Sequence, residues 1–308
     1  MAETSSRVAV TVGERTLSLS NLDKVLYPDV HFTKGEVIDY YSRIAPVLLP
    51  HLAGRSLTVI RFPNGIAASS FFEKNAPRGT PDWVRTVRLP VPGSTMKRET
   101  IDYVVVEELA TLVWLANLAA LELHTHQWRV DDADAARGAD QLVVDLDPGP
   151  PAGLAECAVA ALLLRERLVA DGLTPVVKTS GSKGMQMTAP IEPADPGRAS
   201  EYLRALAQSL EADHPDLVLS NMKKALRPGK VFLDWSQNNE AKTTVAPYSL
   251  RARPGATVST PVGWDEVEAG ALGRFDSAAV LERVERWGDL YAGALADADR
   301  SPLPRSAG

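Results

Sequence analysis

The run Gln141-Leu142-Val143-Val144-Asp145-Leu146-Asp147-Pro148 reads as a strand built for burial, yet it ends in two carboxylates. Side chains on a strand alternate with period two, so Asp145 and Asp147 leave the same face, and Pro148-Gly149-Pro150 stops the strand just beyond them. Leu142 and Val144 are expected on the side of the carboxylates, with Val143 and Leu146 turned elsewhere. Two anions a few ångströms apart repel, so their surroundings must supply a shared proton, an arginine or a divalent metal. Hard oxygen ligands suit Mg²⁺ or Mn²⁺. Taken alone, Asp-x-Asp also fits a solvated strand-to-loop turn.

A chain of 308 residues with 45% hydrophobic content can bury one large domain or two packed lobes. Its formal charge of −6 excludes a uniformly basic nucleic-acid coat but leaves local patches open. One such patch runs from Ser220 to Arg253, where Lys223, Lys224, Arg227, Lys230, Lys242, Arg251 and Arg253 face only Asp234 and Glu240, a local +5. The single Cys157 excludes an intrachain disulfide and, within the apolar Gly153–Ala170 stretch, reads as a buried thiol. Met1–Val8 has no apolar signal region, and no apolar run approaches the ~20 residues of a membrane helix. A cytoplasmic protein with no membrane partner is expected.

Strand and helix patterns alternate without a repeat. Thr33-Lys34-Gly35-Glu36 has capping-box form and opens a helix through Val37, Tyr41, Ile44 and Leu48 that ends near Gly54. Leu57–Phe62 and Leu121–His124 read as strands, Glu107–Ala119 as a helix, and the acidic Asp131–Asp140 as a surface loop. Ala152–Asp171 and Ser200–Ala212 are expected helices, and Thr174–Thr179 and Val231–Trp235 expected strands. Asp276–Leu295 reads as a terminal helix and Ala298–Gly308 as a frayed tail.

Two further segments carry chemistry. Thr179-Ser180-Gly181-Ser182-Lys183-Gly184-Met185-Gln186 is a strand-loop-strand whose small residues expose backbone N–H groups beside one lysine, a combination that can hold a phosphate. Its spacing is not that of a Walker A loop, and a plain hairpin turn with a solvated lysine fits it too. Val231-Phe232-Leu233-Asp234-Trp235 places one acid in a strand that otherwise wants burial, which is costly unless the acid is paired. Arg227 or Lys230 would serve as a purely structural partner.

In this order the pieces resemble the polymerase domain of bacterial ligase D, a branch of the archaeo-eukaryotic primase superfamily. The likeness runs from Leu22-Asp23-Lys24-Val25-Leu26-Tyr27-Pro28 through Phe71-Phe72-Glu73-Lys74, Leu123-His124 and Val144–Pro148. It continues through Thr179–Gly184, Val231–Trp235 and Ala246-Pro247-Tyr248-Ser249-Leu250-Arg251-Ala252-Arg253. The resemblance implies an α+β primase-polymerase fold, with central β-sheets that carry the active site and helices that flank them. Residues 1–297 would form one catalytic domain, with a DNA 5′-phosphate-binding part at about 8–130 and a catalytic core at about 140–297, followed by a flexible tail at 298–308. No ligase Lys-x-Asp-Gly motif and no evident nuclease domain is present, so a stand-alone relative is expected.

The resemblance also implies roles. Asp145, Asp147 and Asp234 would hold two Mn²⁺ or Mg²⁺ ions for in-line phosphoryl transfer. His124, Ser180, Lys183, Gln186, Gln237, Arg251 and Arg253 would receive an NTP or dNTP. Lys24 and Lys34 would hold the 5′-phosphate across a gap or double-strand break, and Phe71 and Phe72 would stack on template bases, with Arg61 and Arg227 as further DNA contacts. Adjacent strand residues face opposite ways, so at least one of the two phenylalanines is expected in the core. Family members commonly carry histidine where this chain has Gln186, which can hydrogen-bond but cannot become cationic.

The implied activity is template-directed nucleotidyl transfer at gaps or ends with a downstream 5′-phosphate, with ribonucleotides preferred. Its implied setting is end joining or gap repair at the nucleoid, with an end-binding Ku protein and a separate DNA ligase as partners. Primase action and an end-bridging module with weak catalysis are the alternatives, and Gln186 favours the second. A nucleotide-sugar transferase would explain Asp145 and Asp147 but not Lys24, Lys34, Arg251 and Arg253.

Overall fold

The computed structural model describes residues 7–91 and 99–304. The expected capping box is formed: Thr33 Oγ1 accepts from the Glu36 amide at 3.2 Å, and Glu36 Oε2 accepts from the Thr33 amide at 2.7 Å. It opens helix α1 (Lys34–Leu52), which buries Val37, Tyr41, Ile44 and Leu48. This stripe shares one apolar core with helix α2 (Leu109–Asn117) and with a six-stranded sheet. In that sheet Thr244–Val245, Ala120–Thr125, Ser56–Arg61, Thr100–Val105 and Thr86–Pro90 lie side by side, and Phe71–Glu73 pairs with Ser56–Arg61 off the main path.

The second sheet is organised on Ala136–Pro148. Met185–Ala194 pairs antiparallel with one side of this strand and Val231–Leu233 antiparallel with the other. Both backbone edges are thereby satisfied near its acidic end. Val176–Thr179 and Pro261–Val262 extend the sheet beyond Met185–Ala194, Val218–Leu219 lies outside Val231–Leu233, and Trp128–Val130 pairs with the start of the central strand. Helices α3 (Leu154–Ala170) and α4 (Pro196–Asp213) cover one face, where Leu142, Val144 and Leu146 pack with Cys157, Leu164 and Leu203. Two shorter helices, α5 (Trp264–Glu268) and α6 (Ser277–Trp287), follow. Mixed helix and sheet, as expected, is the observed class.

The expectation that Leu142 and Val144 accompany the carboxylates is off by one residue. Counting by twos from Asp145 reaches Val143 and Gln141, which line a small cavity away from the helices, whereas Leu142 and Val144 belong to the helix-side core.

Asp131–Asp140 is likewise not a loop throughout, because Ala136 already begins the long strand and Asp140 is buried. Its carboxylate accepts a two-pronged bond from the buried Arg55 at 2.8 and 3.0 Å, with Arg129 at 3.1 Å and Arg300 at 3.3 Å. Arg55 directly precedes the Ser56–Arg61 strand of the other sheet, so this pair joins the two sheets. The helix expected over Asp276–Leu295 stops at Trp287, where Gly288 takes a positive φ of 69°. Beyond it the chain is packed, not frayed: Ser301 bridges Ile191, Leu303 is buried and Arg300 reaches Asp140. Residues 305–308 of the expected tail lie outside the described residues.

Removing one partner of a buried ion pair strands the other charge, at a cost of about 3–5 kcal/mol. Arg55→Ala is expected to lower the unfolding free energy in urea by about 3 kcal/mol, the lower end because Arg129 and Arg300 still face Asp140. A loss no larger than the ~1 kcal/mol of a surface pair would show that Arg55 is not the joint.

Candidate active site

The antiparallel register that sets Leu146 opposite Leu233 carries Asp234 to the end of the central strand, where its amide donates to the Asp145 carbonyl at 2.9 Å. All three expected acids therefore meet on the sheet face away from α3 and α4. Asp145 and Asp147 open into a cleft of about 250 Å³ that is also lined by Ser180, Lys183, Gln186 and Gln237. His124 and Thr244 enter the same cleft from the six-stranded sheet, with Arg251 and Arg253 at its side. Every residue assigned from sequence to the incoming nucleotide thus lines one space between the two sheets.

Each acid is held differently. Half-buried Asp145 accepts from Gln186 Nε2 at 3.0 Å on one oxygen and from Gln237 Nε2 at 3.4 Å on the other. Burial pushes its carboxyl above the usual range; the Gln186 bond opposes this, and the charges of Asp234 and Asp147 push it further up. Asp147 sits between Lys183 and Arg227, each at 2.8 Å. Asp234 accepts from the Ser236 amide at 3.1 Å and has Lys242 at 3.5 Å. The purely structural partners expected for Asp234 are elsewhere. Arg227 pairs with Asp147 and lies over the Phe232 ring at 3.9 Å, and Lys230 donates to the Pro215 carbonyl at 2.6 Å.

Loop Ser180–Gly184 is pressed against the central strand. A side chain at Gly184 would collide with the Leu146 carbonyl, and Gly181 adopts a φ of 67°. Ser180 Oγ accepts from the Ser182 and Gly184 amides, both at 3.2 Å, and so closes the loop that sets Lys183 beside Asp147.

Among the described residues no three His, Cys, Asp or Glu side chains are grouped so as to hold a metal ion. Asp147 and Asp234 are instead engaged by Lys183, Arg227 and Lys242. The donor chemistry nonetheless fits a hard divalent cation: the carboxylates are close enough for their charges to disfavour ionisation of Asp145, and all are oxygen ligands.

The residues assigned to DNA from the sequence form a separate group, Arg227 excepted. The Lys34 amide donates to the Lys24 carbonyl at 2.8 Å, which brings the two lysines together. Lys24 Nζ donates to Asn64 Oδ1 at 2.8 Å, and the nearly buried Lys34 Nζ donates to the Ser20 carbonyl at 2.5 Å. Burial, assisted by Lys24, lowers the Lys34 ammonium to about 8. Phe71 and Phe72 are 56% and 60% exposed, so the expectation that one is core is overturned. Among the described residues the strand Phe71–Glu73 pairs with Ser56–Arg61 alone, and Arg61 braces it through Glu73 at 2.9 Å. Arg227 stands at the carboxylates, not with this group.

The family model of the LigD primase-polymerase domain matches residues 33–291. The chain belongs to this family. LigD primase-polymerase domains are DNA-directed nucleotidyltransferases, which agrees with the activity class expected from sequence. The multifunctional non-homologous end joining protein LigD of Mycolicibacterium smegmatis is 44% identical over 281 residues, which cover 91% of this chain and 36% of that protein. The multifunctional non-homologous end joining DNA repair protein LigD of Mycobacterium tuberculosis strain H37Rv is 41% identical over 295 residues, 94% of this chain and 38% of that protein. The chain thus spans little more than a third of the length of these relatives. The solved polymerase domain from Mycobacterium tuberculosis Ligase D in complex with DNA matches with a TM-score of 0.87 at 40% identity, over 94% of this chain and 99% of that one. No helix among the described residues is long and apolar enough to cross a membrane.

Within this LigD-type cleft, Glu122 and Lys178 escaped the sequence reading. Glu122 Oε1 accepts from the Ala252 amide at 2.9 Å, while Oε2 faces His124 Nε2 at 3.0 Å and Arg251 Nε at 3.3 Å. Arg251 also donates to the Ser180 carbonyl at 3.1 Å, so Glu122 is tied through it to the loop. Burial acts to raise the Glu122 carboxyl, but the His124 bond and the Arg251 charge prevail and hold it at about 2. Burial pushes the His124 imidazole down, toward the neutral form. The signal was available: Glu122 is a lone acid between Leu121 and Leu123, the pattern that singled out Asp234.

A carboxyl at about 2 in the folded chain against an ordinary 4.5 contributes stability that is fully present above pH 4.5 and lost as pH falls toward 2. Glu122→Gln is expected to flatten the acid-side fall of melting temperature across that window. A profile identical to that of the parent would refute the assignment.

Proposed function

We propose that the chain is a metal-dependent, template-directed polymerase that fills gaps or extends ends at DNA breaks carrying a downstream 5′-phosphate, with ribonucleotides preferred. The observation that carries this reading is the convergence of Asp145 and Asp147 with Lys183, Arg251 and Arg253 in one cleft between the sheets, with Asp234 bonded through its backbone beside Asp145. Asp145, Asp147 and Asp234 would hold two Mn²⁺ or Mg²⁺ ions, which when bound activate a primer 3′-hydroxyl and neutralise the triphosphate.

The remaining residues bind and orient. Lys183 within loop Ser180–Gly184 and Arg251 bonded to it receive the triphosphate, Arg251 as a planar fork and Lys183 as a point charge, with exposed Arg253 beside them. His124 donates Nε2–H to Glu122, which leaves Nδ1 as an acceptor for a sugar hydroxyl. That acceptor supports the ribonucleotide preference. Gln237 and Gln186 keep Asp145 aimed into the cleft. Lys24 and Lys34 bind the 5′-phosphate, whose charge would offset the cost of two neighbouring ammonium groups. Phe71 and Phe72 offer exposed rings for template stacking, on a strand braced by Arg61. Non-homologous end joining is the setting that the names of the relatives support; an end-binding Ku protein and a separate DNA ligase at the nucleoid would be the partners there.

Gapped-duplex extension with Mn²⁺ tests the catalytic assignment: Asp145→Ala or Asp147→Ala should lower the rate at least about a hundredfold, and activity that survives either change sinks it. The phosphate pocket has its own check. The parent should bind a gap bearing a 5′-phosphate more tightly than one without it, and Lys24→Ala/Lys34→Ala should bind both alike. A double variant that still discriminates places the pocket elsewhere.

A further inference from the structure

Lys178 has no part in nucleotidyl transfer as described above, yet it is among the largest side chains buried completely, at 2% exposure. An ammonium group in a protein interior costs several kcal/mol unless hydrogen-bonded partners compensate. The sheet register supplies them. Lys178 lies directly across from Gln186 on one side, and Gln186 lies directly across from Asp145 on the next. The three side chains form a row over three adjacent strands.

Within this row each bond has a fixed direction. Lys178 Nζ donates to Gln186 Oε1 and, at 2.7 Å, to Ser259 Oγ; Gln186 Nε2 donates to Asp145 Oδ1 at 3.0 Å. Turning the amide over would set its carbonyl against the Asp145 carboxylate and its NH₂ against the lysine donors. Ser259 holds the far end, because its own amide and carbonyl are bonded to Ser249 and Tyr248.

We propose that Lys178 is a positioning residue for Asp145, acting through Gln186: it locks the amide with its NH₂ toward Oδ1 and thereby sets which carboxylate lone pairs face a divalent cation. Lys178 itself stays behind Gln186 and touches neither cation nor nucleotide. This rests on the assignment of Asp145 as a metal ligand under the proposed function.

Mn²⁺ titration of the full chain without nucleotide, followed by the paramagnetic resonance signal of the free ion, gives a readout independent of turnover. Losing a hydrogen-bonding partner of a metal ligand typically costs about 10–100-fold in metal affinity. Lys178→Met should therefore weaken Mn²⁺ binding about tenfold, and Lys178→Met added to Gln186→Ala should weaken it no further than Gln186→Ala alone. Binding equal to the parent in Lys178→Met, or a loss that adds in full to that of Gln186→Ala, overturns the proposal. Should Lys178→Met fail to fold, Ser259→Ala is read the same way: a loss that vanishes in the Gln186→Ala background supports the row, and an additive loss or none overturns it. Asp145→Asn separates the two levels. Mn²⁺ binding unchanged in Asp145→Asn overturns both readings, whereas binding lost there but normal in Lys178→Met overturns only the role of Lys178.

Discussion

Like-charge repulsion among Asp145, Asp147 and Asp234 is the constraint around which the rest of this structure is arranged. No single element resolves it. Asp145 is steadied by Gln186 from one neighbouring strand and by Gln237 from the turn after the other, Asp147 by Lys183 and Arg227, and Asp234 by Lys242. Lys242 lies close to Asp234 in sequence, but every donor to Asp145 and Asp147 comes from a distant segment, so those two acids are steadied only once the sheet is assembled in this order. Fold and site are therefore the same requirement: the register that satisfies the central backbone also delivers the groups that make its acidic end tolerable.

Much of this could be read from the chain alone. The capping box at Thr33, the strand run into Asp145 and the glycine-bounded loop at Lys183 are local patterns with local physics, and all three appear where expected. The misreadings share a different cause. Asp140 sits in an acidic, alanine-rich stretch whose composition suggests surface, and its partner Arg55 is 85 residues away. For Phe71 and Phe72, alternation presumes that one face of a strand is covered; among the described residues this strand pairs with a single neighbour, and both rings stay exposed. Glu122 is the lone acid of its strand and Lys178 the lone charge of its own, and sequence does not reveal which distant segments will hold Arg251, Gln186 and Ser259 against them.

The cleft is a meeting of two sheets, not a pocket within one. His124 belongs to one sheet and the acids to the other, with Glu122 and Arg251 linking His124 to the Ser180 loop across the gap. His124 and the carboxylates are thereby positioned against each other by the packing of two cores.

The joint between those cores is the Arg55–Asp140 pair, both side chains being 5% exposed or less. The lysines paired with the acids are in a different medium, with Lys183 at 54% and Lys242 at 41% side-chain exposure. Dissolved salt screens exposed charges and scarcely reaches buried ones. Ionic strength consequently acts on this protein as a selective knob: it weakens the field of the exposed lysines beside the acids while the spacing of the two walls stays as it was.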